Sequence, residues 1–333
     1  MMSDKITLAH GAGGLLSQKL VRELIVPAFD NPMLDELHAG AKLRGNRVFT
    51  TDSYVAKPIF FAGGDIGKLS VCGTVNDLAM SGAIPKYLSA GVIIEEGFDL
   101  IELRKIVWSM AVAADEAGVK IVTGDTKVVG HGQCDGIFIN TAGIGEAIDG
   151  VNISVKNVRP GMKVLINGSI GDHATVILAG RHALTLPDSI KSDCAPLNGL
   201  VRAMLEVEPK IAMLRDPTRG GIAAVLNEIA QGADVGIMLK EKKLPIKPAV
   251  KGVCNLLGFD VLELANEGKV IAIVPSESAD AVLDVMRRHE LGRQAEIIGE
   301  VVEAPRGKVG LKTSIGSTRI VDMPVGVIVP RIC

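Results

Sequence analysis

Acidic residues of this chain recur in glycine-rich or turn-like contexts: Asp52 in TTDSY, Asp65 in GGDIG, Asn76-Asp77 in VNDLAMSG and Asp125 in TGDTK. Carboxylates at strand ends beside glycines suit Mg²⁺, because a hard cation takes oxygen ligands and glycine lets a phosphate approach the backbone. Asp52, Asp65, Asp77 and Asp125 are therefore candidate metal ligands, with Lys57, Lys68 and Lys127 available to oppose phosphate charge. The competing reading gives each aspartate a local role, capping a helix or holding a turn. Asp216-Pro217-Thr218-Arg219-Gly220-Gly221 precedes a helical run, so it can hold an anion at a helix N-terminus or simply close a turn capped by Asp216.

The last residue, Cys333, is chemically the least ordinary. A thiol at the end of a flexible segment can enter a site, act as a thiolate nucleophile and carry a covalent group out again. The chain from Pro324 can reach roughly 33 Å when extended. Arg331 would favour the thiolate and the terminal carboxylate would oppose it. The alternative is a docked β segment with an inert end; the apolar Met323, Val325, Val327, Ile328, Val329 and Ile332 argue that it docks somewhere. Glu267, in a turn-like Asn-Glu-Gly, is a candidate base, while His10 and His131 lie in glycine-rich settings where, without a visible partner, a surface or hydrogen-bonded role is the favoured reading.

Familiar nucleotide motifs fail. The segment 62–69, AGGDIGKL, lacks the first glycine and the final Ser/Thr of a P-loop, and HGAGG at 10–14 lacks the third glycine of a dinucleotide fingerprint. Any ATP site must use another architecture.

The elements that would position these groups read as two αβ units. Residues 47–61 are β-rich, 100–114 carry helical spacing stopped by Gly118, 120–125 read as a strand entering a loop, and 136–148 as a further strand. After the turn Arg159-Pro160-Gly161 a second unit begins, with a strand at 163, helices near 174–183, 197–205, 221–230 and 279–289, and a buried strand at 269–274. The expected division is 1–155, 156–321 and a tail, 322–333.

With 333 residues and 47% hydrophobic content the chain can build substantial cores, while 3% aromatic residues and a formal charge of −2 leave no footing for a nucleic-acid surface. Five cysteines, none in a CxxC pair, fit neither a disulfide framework nor a zinc ribbon. The expectation is a soluble cytoplasmic protein without a signal peptide or membrane span.

Taken together, HGAGG, TTDSYV, GGDIGKLSVCGTVNDLAMSGA, TGDTKVV, RDPTRGG, ANEG and the terminal PRIC resemble the HypE family of NiFe-hydrogenase maturation factors. That family is similar to aminoimidazole ribonucleotide synthetase, selenophosphate synthetase and thiamine-phosphate kinase. The likeness covers essentially the whole chain without departure at these motifs, and PRIC is its most specific element. It implies a two-domain α/β (α+β) fold, a β-rich N-terminal domain pairing across a homodimer, and Mg-ATP in the cleft between domains. It implies ATP-dependent dehydration of a carbamoyl group on Cys333 to an S-cyano group that supplies cyanide to iron. The expected partners are the carbamoyltransferase HypF and the iron scaffold HypC–HypD. By the same resemblance, Asp52, Lys68, Asn76, Asp77, Thr123, Gly124, Asp125, Asp216 and Arg219 contact nucleotide or metal. Glu267 is the first choice for base, Lys127 the electrophilic or phosphate-binding group, and His10 the reserve. Two other readings stay open: a synthetase acting on a free small molecule, which needs no Cys333, and a non-catalytic assembly subunit whose tail is a docking peptide.

Overall fold

The structure is a computed structural model that describes residues 5–29, 31–34, 37–326, 329 and 331–333. Val327, Ile328 and Pro330 of the tail lie outside the described residues. After the short helices α1 (Leu15–Leu20) and α2 (Val26–Phe29) come β1 (Ala41–Leu43), β2 (Arg47–Tyr54), β3 (Phe60–Phe61), β4 (Gly64–Asp65), α3 (Ile66–Met80), β5 (Ala83–Glu95), α4 (Leu100–Ala117), β6 (Lys120–Val129) and β7 (Ile137–Ala147). Five of these strands form a sheet in the order β1-β2-β7-β5-β6, parallel only between β5 and β6. Val48, Thr50 and Tyr54 of β2 alternate inward, and α3 packs on β2, β5, β7 and α4. Covered on several sides, α3 needs no polar stripe. Asp65 caps it by accepting from Gly67 N and Lys68 N at 2.7 and 3.0 Å, and α4 ends on Gly118 in the left-handed region.

Two expectations change here. The β-rich stretch 47–61 is not one strand: β2 stops at Tyr54, and the next backbone donors turn to the C-terminal residues instead. Nor does a loop begin at Thr123-Gly124-Asp125; β6 runs through to Val129 beside β5. Gly124 is in mid-strand because a Cβ there would stand 2.3 Å from the Ala90 carbonyl oxygen, a matter of close backbone approach rather than of turning.

The second unit comprises β8 (Lys163–Ile166), α5 (Asp172–Arg181), α6 (Asn198–Val207), β9 (Met213–Arg215), α7 (Gly221–Ala233), β10 (Gly236–Lys240), α8 (Pro248–Leu257), β11 (Ile271–Val274), α9 (Ala279–Arg288), β12 (Glu296–Val302), β13 (Lys308–Lys312) and β14 (Thr318–Val321). Its seven-stranded sheet has the order β14-β13-β10-β12-β8-β11-β9. One core fills this unit and takes in Ala79 and Met80 of α3. A second joins Ile66, Leu69, Val75 and Ile139 to Ala174, Ile177 and Leu178 of α5 and to Ile332 and Cys333, and a small third gathers Val48, Leu78 and Ala83.

Asn76, 1% exposed, fastens the two units. Its side-chain oxygen accepts from Leu197 N at 2.7 Å and its amide nitrogen donates to Ala195 O at 3.1 Å and Glu267 O at 3.4 Å. Asn76→Ala would strand a buried N–H and a buried carbonyl, so it is expected to lower unfolding free energy by about 2 to 3 kcal/mol; urea denaturation midpoints measure this, and an unchanged midpoint would refute the fastening role.

Candidate active site

The chain terminus is built into the protein rather than hanging from it. Val55 N donates to Cys333 O at 3.0 Å and Lys57 N to Arg331 O at 3.1 Å, so the end of the tail continues as a partner for the segment after β2. Cys333 is 9% exposed. It borders a cavity of about 320 Å³ between the units, whose wall includes Gly11 and Ala12, Ser53, Arg219 and Ile332. Two of the three glycines of HGAGG have a packing reason: a Cβ on Gly13 would lie 2.6 Å from Arg219 Cβ, and one on Gly14 2.1 Å from Pro324 O, which also accepts from Leu15 N at 2.9 Å.

Buried carboxylates gather near Cys333, beside this cavity rather than in its wall. Asp52 comes from β2, Asp77 from α3, Asp216 from the loop before α7 and Glu267 from the approach to β11. Burial and the charges of Asp216 and Asp52 push the Asp77 carboxyl well above its usual range. Burial raises Asp216 and Asp52 as well, with Arg215 and Arg219 respectively pulling them back. Glu267 is 3% exposed, its Oε1 has no hydrogen-bond partner, and burial together with Asp193, Asp216 and Asp52 pushes it far up. The Cys333 thiol is raised by burial and by Glu267 against the pull of Arg219, so it stays protonated while seated.

The ANEG motif resolves into positioning work. Asn266 accepts from Gly171 N at 2.8 Å and donates to Pro217 O and Leu264 O at 3.1 and 2.9 Å, tying the Asp216 loop to the Glu267 segment. Gly268 packs so tightly that a Cβ would fall 1.8 Å from Asp193 O. Asp193 accepts from Gly268 N and pairs with Lys269, each at 3.0 Å. Burial works against its charged form, yet Lys269 and His173 hold its carboxyl below the usual range. Sequence reasoning missed Asp193, His173 and Arg181, none of which sits in a motif that announces chemistry.

Other candidates stand apart from this cavity. Asp65 spends an oxygen on its helix cap. Lys68 reaches Gly63 O at 3.4 Å and lines a different, polar cavity. His10 Nδ1 accepts from Thr7 N and faces Thr7 Oγ1, at 3.1 and 2.9 Å; His131 sits on the surface beside Glu95. Thr123, Gly124, Asp125 and Lys127 lie on exposed β6, where Lys127 Nζ meets Asp125 at 2.8 Å. Register places Asp52, Thr141, Ala90 and Gly124 in one row across four strands, so about 14 Å of sheet separates Asp52 from the TGDTK segment within one chain.

Residues 39–147 match the family model for the N-terminal domain of AIR synthase related proteins, and 159–312 match that for the C-terminal domain. The carbamoyl dehydratase HypE of Cupriavidus necator is 49% identical over 99% of this chain and 95% of that protein, and that of Escherichia coli 46% identical over 99% and 100%. The chain belongs to the HypE family. Among solved HypE structures, that of a HypE–HypF complex superimposes with a TM-score of 0.88 at 52% identity, covering 92% of this chain and 99% of the other; HypE in complex with ATP gives 0.84 at 46%, covering 99% and 100%. A thiamine monophosphate kinase from Aquifex aeolicus, 17% identical with a TM-score of 0.66 over 90% and 98% of the chains, shares the fold. The two-domain AIR synthase-like architecture expected for a HypE chain is thus present. No helix among the described residues is long and apolar enough to cross a membrane.

The acidic donor set of this HypE chain suits a hard cation. Among the described residues no three His, Cys, Asp or Glu side chains are arranged to hold a metal ion unaided, but Mg²⁺ needs only one or two carboxylates when phosphate oxygens and water complete its shell. The folded-state pKa of Asp77 lies above its unfolded value. Its contribution to stability is therefore full below the ordinary carboxylate range and is lost as pH rises through the raised value. Asp77→Asn keeps an acceptor for Thr50 Oγ1, which donates at 3.0 Å. It should stabilise the nucleotide-free protein at pH 8 by on the order of 1 kcal/mol, the gain shrinking as pH falls. Denaturation of both proteins across pH tests this, and a gain that grows on acidification would contradict the repulsion.

Proposed function

We propose that this chain is an ATP-dependent carbamoyl dehydratase that converts an S-carbamoyl group on Cys333 into S-cyanocysteine for maturation of a NiFe-hydrogenase. The observation that carries the reading is the burial of the terminal thiol in the same cleft as Glu267, whose Oε1 has no partner. Chains about half identical to this one are carbamoyl dehydratases by name, and one relative has been seen with ATP. A synthetase acting on a free substrate would have no use for a thiol seated there.

The chemistry needs four things from the protein. The carbamoyl oxygen attacks the γ-phosphoryl group of ATP, releasing ADP and turning a poor leaving group into phosphate. Arg219 at the cleft mouth and the N–H groups at the start of α7 face the developing charge. The carbamoyl nitrogen sheds two protons on the way to C≡N, one to water or phosphate once the oxygen is phosphorylated and one to Glu267, which in its ionised form accepts it as phosphate departs; its raised pKa makes that carboxylate a stronger base than an exposed one. Asp52, Asp77 and Asp216 would hold Mg²⁺, which supplies charge neutralisation to the phosphates. Ile332 and Val329 border the cavity beside the thiol and keep water from the activated group.

HypF is the reading's carbamoyl donor, supported by the HypE–HypF complex of a relative; HypC–HypD would receive the cyanide. A homodimer completes it. Phe49, Ile144 and Tyr87 form an exposed row across β2, β7 and β5, and nine of the ten β6 residues are exposed. A second copy against this face would cover that surface and bring Thr123 to Lys127 of one protomer to the other's nucleotide, closing the gap that the sheet leaves within a chain.

With HypF, carbamoyl phosphate and ATP, the C-terminal peptide should gain a carbamoyl group and then lose water. Cys333→Ala should show neither mass change, and Glu267→Gln should accumulate the adduct with dehydration slowed about 10²- to 10⁴-fold. Dehydration at the parental rate in Glu267→Gln would remove it as the base, while ATP hydrolysis with an unmodified tail would favour a free substrate. Mixed dimers of Lys127→Ala and Cys333→Ala chains should regain activity if Lys127 serves the neighbouring protomer; inactive mixtures would place its action within one chain.

A further inference from the structure

A thiol that is 9% exposed cannot meet a donor enzyme where it sits, so the tail must leave the cleft to be loaded and return to react. What holds it in place is separate from the carboxylate cluster. Arg331 pairs through NH1 with Asp135, donates from Nε to Val55 O at 2.8 Å and lies over the Phe138 ring at 5.7 Å. Asp135 is also engaged by Lys57 Nζ at 2.7 Å. Arg181, from α5, donates from Nε to Lys57 O at 2.8 Å and from NH2 to Arg331 O at 2.9 Å, gripping both sides of the tail pairing. His173, one residue into α5 and wholly buried, faces Ile332 O through Nε2 at 2.9 Å and Ser192 Oγ through Nδ1 at 2.8 Å. A carbonyl only accepts, so Nε2 carries the proton and Nδ1 takes the Ser192 hydroxyl proton. Arg331 adopts φ 50°, a left-handed conformation that a residue with a side chain keeps only while its surroundings enforce it.

We propose that Asp135, Arg181 and His173 form a latch that seats Cys333 in the cleft and, by opening, releases it for loading, which makes them positioning residues that set the balance between the two halves of the cycle. The significance of the balance rests on the reading that Cys333 carries the substrate. Asp135 belongs to the N-terminal unit, Arg181 and His173 to the C-terminal one, so the tail seats only where the two units meet. The grip is reversible by construction: the Asp135 and Arg331 side chains are 48% and 27% exposed, and partly exposed ion pairs are weak.

The latch is tested on the full-length protein by iodoacetamide alkylation of Cys333, followed by mass on the C-terminal peptide, which separates it from the half-exposed Cys134. A seated thiol is protonated and shielded, so the rate reads the released population. Asp135→Asn and Arg181→Gln should each raise it about two- to fivefold, the range expected for a half-exposed ion pair, and Asp135→Asn combined with Arg331→Gln should exceed neither single change appreciably. In single turnover these variants should load faster and dehydrate a preloaded adduct more slowly. His173→Gln, whose amide can still donate to Ile332 O, should stay near the parental rate while His173→Leu rises. Should His173→Leu fail to fold, the surface variant Asp135→Asn still decides the matter. Parental alkylation rates in both Asp135→Asn and Arg181→Gln, or independent multiplying effects of Asp135→Asn and Arg331→Gln, would overturn the latch. Because alkylation needs neither ATP nor a carbamoyl donor, a parent that is never carbamoylated while Asp135→Asn still alkylates faster sinks the carrier role of Cys333 and leaves the latch standing.

Discussion

Four carboxylates held close together in a cleft largely shut off from water are the constraint around which this molecule is organised. Burial raises the proton affinity of Asp52, Asp77, Asp216 and Glu267 alike; the charges of Asp52 and Asp216 raise Asp77 and Glu267 further, and Asp52 raises Asp216, because little solvent is left to screen them. Such an arrangement costs stability, and it persists because each carboxylate is anchored in a different element whose own packing is unrelated to the charge. β2 is pinned by the sheet, α3 by its nearly complete burial, the 216–221 loop by Asn266, and Glu267 by the Asn76 side-chain amide, which donates to its carbonyl. The repulsion is a site's demand for positive charge, written into a scaffold stable enough to carry it.

The glycines of the motifs serve that scaffold more than the ligand. Gly13 and Gly14 let the first loop lie against Arg219 and Pro324, Gly268 lets the Glu267 segment touch the backbone at Asp193, and Gly124 lets β6 close on β5. Each is a place where two backbones come nearer than a side chain allows. Their effect is to bring the N-terminal loop, the Asp216 loop and the chain terminus to one cavity, with a core around α5 that joins both units to the last two residues.

Elements with a clean period were legible. Apolar spacing with Gly118 as a stop marked α4, and alternation marked β7, because one face of each meets a core and the other does not. The interruption after Tyr54 was not legible, since Val55 and Ile59 to Phe61 continue the β-prone composition on either side of it, and the backbone after Tyr54 pairs instead with residues 331–333. The TGDT segment looked like a turn because glycine and aspartate usually make one; a parallel neighbour turned it into mid-strand. Asp65 took the local role open to any aspartate before a helix, whereas Asp77 accepts from Thr50 and feels the charge of Asp216 from the other unit.

By itself the sequence determined the chemical inventory and the family: a terminal thiol, a surplus of turn-borne carboxylates, a glycine-spaced set of loops and the motif combination of a HypE chain. Those are properties of residue type and short-range order. Tertiary structure alone decided which groups are gathered together, that Asp216 rather than Asp65 joins Asp52 and Asp77, that Lys127 sits three strands away from Asp52, and that His173 and Arg181 hold the tail. The physical reason is that proximity between residues far apart in sequence is set by how sheets, helices and backbones pack, and no local pattern encodes it.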